Sequence, residues 1–142
     1  MKTLIKLLLF LLLSFSLFNQ NIFASEKIKI GLIVPLSGDN SLIGEKIIKS
    51  IRMAINKIND DRIEIIPKDT KSNPIDALKV SNELYRDGVR IIIGPVFNES
   101  TKYLDDLKDV TFISFTNKLI GNPKNVISAG VNAISQLQTI KK

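Results

Sequence analysis

The sequence contains no cysteine, no histidine and no tryptophan among its 142 residues. The absence of cysteine excludes disulfide bonds and thiolate metal sites. Histidine is the commonest metal ligand and the usual general base near neutral pH, so its absence argues against most hydrolases and metalloenzymes. We therefore expect a protein that is not an enzyme and that needs no cofactor or metal.

The amino terminus carries the longest apolar run of the chain, from Leu7 to Phe18. Two lysines precede this run and polar residues follow it, an order typical of a secretory signal peptide. We predict that residues 1–24 are a signal peptide cleaved after Ala24, which would place the mature protein in the periplasm. An uncleaved membrane anchor is the alternative, but the run is shorter than the ~20 apolar residues of a spanning helix.

The chain is basic, with a formal net charge of +6. Two of the lysines belong to the predicted signal peptide, so the mature charge would be +4. The basic residues are scattered among acidic ones and form no cluster with aromatic residues, which argues against nucleic acid as a partner. The remaining residues suffice for one domain of ordinary size.

Short apolar strands alternate with amphipathic helices along the rest of the chain. This alternation predicts an α/β fold, a three-layer structure with a parallel sheet, helices on both faces and right-handed crossovers. Strands are predicted at 28–34, 63–66, 89–94, 110–115 and 125–130, and helices at 44–58, 74–87, 100–109 and 133–142.

Helix boundaries are marked by residues suited to them. Asn73 is a candidate N-cap, Pro74 suits the first helical position, and Gly88 suits a helix end. Ser100 is predicted to cap the helix at 100–109, whose apolar face would contain Tyr103, Leu104 and Leu107.

Polar loops follow the first, third and fourth predicted strands, with the sequences LSGDNSLIG, GPVFNEST and SFTNK. In an open parallel sheet these loops leave the same edge, where ligands commonly bind. Their hydroxyl and amide groups suit a carboxylate, amide or sugar group held by hydrogen bonds.

The residues of these loops give little support to a catalytic or nucleotide-binding site. The segment from Gly38 to Lys46 differs from a phosphate-binding loop in glycine spacing and in the position of the lysine. Asp39, Asp69 and Glu99 each follow a strand, but no nucleophile and base pair accompanies them, and local structural roles are favoured. A nucleotide-using enzyme is kept only as a minor alternative.

Three segments together resemble the first lobe of type I periplasmic binding proteins of the leucine-binding class: IKIGLIVPLSGDNSLIGEKIIKSIRMAINKIN, DTKSNPIDALKVSNELYRDGVRIIIGPVFNEST and VTFISFTN. The resemblance implies a non-enzymatic, substrate-binding component of an ABC transporter for amino acids or similar small polar molecules. Its partners would be the small-molecule ligand and a membrane permease.

The resemblance also implies which residues contact the ligand. The loops after the third and fourth strands would hold the amino acid's charged groups, and the first loop would contribute beside them. Asn98 and Lys118 depart from the hydroxyl residues common at these positions, while Phe97 and Asn98 are expected to face the cleft. The expected ligand-binding residues are Ser41, Leu42, Ile43, Phe97, Asn98, Ser100, Thr116, Asn117 and Lys118.

A narrower resemblance, to penicillin-binding protein activators, is carried by GPVFNES, FISFTN and NVISAGVNAISQLQTI. It implies the alternative function, regulation of peptidoglycan synthesis through contacts with an envelope protein. The chain lacks the lipidation cysteine of some activators. It also ends where the family's first crossover to the second lobe would begin, so residues 25–142 are expected to be a first lobe truncated before the second.

Overall fold

The computed structural model describes residues 26–121 and 123–130. The predicted signal peptide, the helix expected at 133–142 and Asn122 of the predicted turn lie outside this range. Within it, no helix has the length and apolarity needed to span a membrane. The elements are β1 (Ile28–Val34), α1 (Ser41–Ile58), β2 (Ile63–Asp69), α2 (Pro74–Arg86), β3 (Ile91–Ile93), 3₁₀ turns at Asn98–Thr101 and Leu104–Asp106, β4 (Thr111–Ser114) and β5 (Val126–Ser128).

The strands form one sheet in the order β2-β1-β3-β4-β5, and all neighbouring pairs are parallel. The chain moves in one direction from β1 to β2 and in the opposite direction in every later connection. Since such connections are right-handed, this reversal places α1 on one face and α2 with the 3₁₀ turns on the other. The predicted three-layer α/β architecture is confirmed. We call these the α1 face and the α2 face.

The α2 face contains the hydrophobic core. Alternate residues of a strand point to opposite faces, and Gly31 and Ile33 of β1 point towards α2, where Leu84 packs. The side chains of Leu84, Ile92 and Phe112 are completely buried there. This side of the sheet therefore supplies most of the apolar burial of the described chain.

The α1 face is packed more loosely. Gly44 is the buried residue of α1, whereas Ile48, Ile51 and Ile55 are half-buried around a cavity of about 270 Å³ between α1 and the sheet. On the same face Ile127 of β5 is 56% exposed. Ala54 and Ile58 are exposed, so the apolar side of this amphipathic helix is only partly buried.

The helix predicted at 100–109 is replaced by the two 3₁₀ turns. Thr101, Leu104, Leu107 and Val110 are all buried, and each residue between them is exposed. This period of three matches a 3₁₀ helix, which has three residues per turn, and not an α-helix. Tyr103 consequently lies outside the core, and its predicted place on the apolar face is wrong.

The boundaries predicted for α2 are confirmed. The Asn73 side-chain oxygen accepts hydrogen bonds from the amides of Ile75 (2.8 Å) and Asp76 (3.3 Å), and Pro74 is the first helical residue. Gly88, with a φ of +85°, follows the helix end. The local sequence therefore defines this helix without help from distant residues.

Candidate functional site

The carboxyl edge of the sheet gathers the three predicted ligand loops. β1, β3 and β4 are consecutive neighbours and parallel, so the segments that follow them leave the same edge. Asn40, Asn98 and Thr116 therefore lie on one rim of the molecule, as the topology predicts.

Backbone contacts hold the three strand exits against one another. The Gly94 amide donates to the Ile113 carbonyl (2.8 Å), and the Phe115 amide donates to the Pro95 carbonyl (3.1 Å). A Cβ at Gly94, whose φ is +114°, would lie 2.3 Å from the Ile33 carbonyl oxygen. Only glycine permits this approach of β3 to β1. The Gly94–Pro95 peptide bond is cis.

The first loop places Ser41, Leu42 and Ile43 at the start of α1. The helix begins at Ser41, three residues before the predicted Gly44. Gly44 lies in its first turn, and a Cβ there would come 1.8 Å from the Pro35 carbonyl oxygen. Ser41 is half-buried, while the side chains of Leu42 and Ile43 are exposed. Ile43 also lines a cavity of about 320 Å³ together with Ile47 and Phe115.

Asp69, the last residue of β2, bonds to this first loop. Its Oδ1 accepts from the amides of Leu36 (2.8 Å) and Lys71 (2.8 Å), and its Oδ2 accepts from the Ser37 hydroxyl (2.6 Å). Partial burial raises the pKa of Asp69, but the hydrogen bonds from Ser37, Leu36 and Lys71 outweigh this effect and leave the pKa below its ordinary value. The local structural role favoured for this carboxylate is confirmed.

The loop after β3 contains Phe97, Asn98 and Ser100. Phe97 and Asn98 are half-buried, and Ser100 is 2% exposed. The predicted capping role of Ser100 is wrong, because the turn begins at Asn98 and Ser100 lies inside it. The Thr101 hydroxyl instead donates to the Asn98 carbonyl (2.7 Å) and accepts from the Ile120 amide (3.0 Å).

In the loop after β4, the Thr116 hydroxyl forms hydrogen bonds within the loop. Thr116 is 8% exposed, and its hydroxyl donates to the Lys118 carbonyl (2.9 Å) and accepts from the Lys118 amide (3.2 Å). The Ser128 hydroxyl donates to the Thr116 carbonyl (2.6 Å), which joins the loop to β5. Asn117 and Lys118 have exposed side chains.

The predicted ligand residues thus fall into two groups along one rim. Ser100 and Thr116 have side chains that are buried. The other seven are half-buried or exposed: Ser41, Leu42, Ile43, Phe97, Asn98, Asn117 and Lys118. Three side chains that support these loops were not predicted: Asp69, Ser128, and Ser114, whose hydroxyl donates to the Pro95 carbonyl (2.9 Å). The position of Asp69 at the carboxyl end of the strand paired with β1 is the signal that could have revealed its bonds.

A sequence model described as periplasmic binding protein matches residues 27–140, and the chain belongs to this family. Leu/Ile/Val-binding protein homolog 1 of Brucella abortus (strain 2308) is 32% identical over 71 residues, covering 46% of this chain and 19% of that protein. The family-level relatives are substrate-binding proteins and not enzymes.

Solved structures confirm the type I periplasmic binding protein fold. A solute binding protein of an ABC transporter from Rhodopseudomonas palustris BisB5, in complex with 3,4-dihydroxy benzoic acid, is 28% identical with a TM-score of 0.59 and covers 63% of this chain and 27% of its own. Full-length LpoA from Haemophilus influenzae is similar in fold. It is 18% identical with a TM-score of 0.60, and the match covers 78% of this chain and 20% of LpoA. The chain spans between 19% and 27% of the length of these three relatives.

Proposed function

We propose that the protein is the ligand-binding component of an ABC transporter and that residues 25–142 form its first lobe. The carboxyl-edge rim of Ser41 to Ile43, Phe97, Asn98, Asn117 and Lys118 binds one side of a small polar molecule. One observation carries this proposal: the three loops leave adjacent parallel strands at a single rim, where the exits of β3 and β4 are hydrogen-bonded to each other. In this proposal a second lobe closes over the ligand and meets a membrane permease.

Amino acids are the ligand class that we propose first, because the Brucella relative is named for binding leucine, isoleucine and valine. Aromatic carboxylates are the nearest other class, since the Rhodopseudomonas protein was solved with a dihydroxybenzoic acid. Both classes carry a carboxylate, which backbone amides and the Lys118 ammonium at the rim can bind.

Calorimetry of the chain extended to the length of its relatives tests this function. We expect micromolar or tighter binding of one compound from a panel of leucine, isoleucine, valine and 4-hydroxybenzoate. A matched Asn98→Ala variant should bind that compound more weakly. Absence of heat across the whole panel would contradict the proposed transport role.

The second candidate is an envelope protein that regulates peptidoglycan synthesis through protein contacts. The burial of Ser100 and Thr116 favours it, since the rim offers a free amino acid fewer hydroxyl groups than the resemblance to leucine-binding proteins implies. Exposed Asn117 and Lys118 could then contact a protein surface. Crosslinking from position 118 in intact cells distinguishes the transport function from the regulatory function. Only a protein that regulates peptidoglycan synthesis should yield an adduct with a peptidoglycan synthase.

We also propose that the mature protein is periplasmic. The support is the basic and apolar sequence before Ala24 together with the family assignment. Amino-terminal sequencing of the protein recovered from the periplasm should begin at Ser25. A retained Met1 in the membrane fraction would instead favour an uncleaved anchor.

A further inference from the structure

Asp69 lies outside the predicted ligand-binding residues, yet its carboxylate reaches the loop that carries three of them. We propose that Asp69 is a positioning residue, which fixes Leu36 and Ser37 and thereby sets where Ser41, Leu42 and Ile43 stand on the rim. The bonds run between neighbouring strands, because Val34 at the end of β1 is paired with Asp69 at the end of β2. The consequence for ligand affinity rests on the proposed binding function, but the effect on the loop does not.

The loop needs such support because little else holds it. Ser37, Gly38 and Asp39 are exposed, and the start of α1 receives no side-chain cap from Asn40. Side-chain packing also does little to hold the start of α1, since the residue of this helix that is buried is Gly44, which has no side chain. Together with the bond from the Ser41 amide to the Gly38 carbonyl (3.1 Å), the carboxylate of Asp69 and the contact between Gly44 and Pro35 therefore restrain the approach to the first turn of α1.

Asp69 also shapes the loop on its own side. Lys71 and Ser72 have positive φ angles of 49° and 58°, which residues other than glycine seldom adopt. The bond from the Lys71 amide to Asp69 stabilises this turn, and the turn presents the Ser72 hydroxyl to the Asn40 side-chain amide at 3.1 Å. One carboxylate thus holds both loops, and the second loop in turn bonds to the residue that precedes α1.

The hydrogen-bonding groups left at position 69 determine which substitution has the larger expected effect. Asp69→Asn keeps an oxygen for the amides of Leu36 and Lys71, and the Ser37 hydroxyl can rotate to accept from its NH₂ group. Asp69→Ala removes every bond. Asp60 provides a matched control, because this aspartate precedes β2 at the opposite edge and bonds to Arg62, not to the rim.

Hydrogen exchange of the full chain tests the positioning role without a ligand. In Asp69→Ala we expect amides from 36 to 43 to exchange about tenfold faster, the effect of losing bonds worth roughly 1.4 kcal/mol. Amides of α2 should keep their rates, Asp69→Asn should show a smaller change, and Asp60→Ala should leave residues 36 to 43 unaffected. An unchanged loop, or faster exchange throughout the chain, would overturn the inference. If Asp69→Ala does not fold, Asp69→Asn decides: because its amide oxygen is a weaker acceptor than the carboxylate, exchange should rise less than tenfold and only at residues 36 to 43, and no rise there would overturn the inference.

Leucine titration adds the functional readout. If the unaltered protein binds leucine, Asp69→Ala should raise the dissociation constant about tenfold, an effect of roughly 1.4 kcal/mol, while Asp60→Ala should not change it. Equal affinities for the unaltered protein and Asp69→Ala would contradict a positioning role. If the unaltered protein binds none of leucine, isoleucine and valine, the amino acid proposal fails, whereas the exchange rates still decide whether Asp69 positions the loop.

Discussion

The two faces of the sheet differ in how they are packed. On the α2 face Leu84, Ile92 and Phe112 are completely buried, whereas on the α1 face half-buried isoleucines surround a cavity and Ile127 is largely exposed. The direction of the chain explains the difference, since every connection after β2 runs the same way and so lies on the α2 face. Within the described residues, most of the stability is therefore expected to come from the α2 face.

The largest expected effect comes from deleting core volume on the α2 face. Leu84→Ala should lower the free energy of unfolding by about 2–5 kcal/mol, because it removes apolar contacts and leaves a cavity. Ile55→Ala on α1 removes a side chain that is only half-buried and should cost about 1 kcal/mol. Urea denaturation of both variants measures the contrast. Equal losses would mean that the two faces contribute alike.

The first turns of α2 and α1 also differ, because only α2 has a side-chain cap, and the expected effect on stability is smaller. Asn73→Ala removes the oxygen that caps α2 and should cost about 1 kcal/mol of unfolding free energy. Asn40→Ala, at the equivalent position before α1, removes no capping bond and loses only the bond to the Ser72 hydroxyl, so it should change stability by less than about 0.5 kcal/mol. Thermal denaturation of the two variants compares them directly. A greater loss for Asn40→Ala would show that α1 depends on its first turn more than its packing indicates.

Acidification should weaken the bonds that attach the first loop of the α1 face. The pKa of Asp69 is lower in the folded chain, so its stabilising contribution is present above the unfolded pKa of about 3.9 and is lost as the pH falls through the folded value. The urea midpoint of the unaltered chain should decline below about pH 4. That of Asp69→Asn should decline less, and equal declines for the two proteins would mean that the Asp69 carboxylate does not stabilise the loop.

The smallest effect on stability is expected at the rim itself. Asn98→Ala should change the free energy of unfolding by less than about 0.5 kcal/mol, since Asn98 is only half-buried. Under the proposed function it should weaken ligand binding about tenfold, the value of one good hydrogen bond. Denaturation and calorimetry on the same preparation measure both. A stable variant with unchanged affinity would place Asn98 outside the binding site.

Local signals in the sequence predicted much of the fold. The Asn73-Pro74 helix start and the β-branched strands needed only neighbouring residues, and they are confirmed. The turns after Asn98 were misassigned because Leu104 and Leu107 fit both an α-helical face and a three-residue period. Exposed Tyr103 distinguishes the two only once the packing is known.

The candidate site was predictable in its location and less so in its side chains. Parallel strands fix which loops meet, so the shared rim follows from the order of elements. Whether a hydroxyl faces outward depends on bonds between loops distant in sequence. The internal bonds of Thr116 with Lys118, and those of Asp69 with Leu36 and Ser37, are of this kind, and composition gives no sign of them.

The contact between Gly44 and Pro35 restricts which sequences this fold can accept. The two nearest atoms that a Cβ at position 44 would meet are the carbonyl oxygen and carbon of Pro35, which belong to the backbone, so moving a side chain alone cannot make room. Every other amino acid would push the first turn of α1 away from the end of β1. A library randomised at position 44 and sorted for folded protein should therefore return glycine alone, even though the rest of this helix tolerates variation.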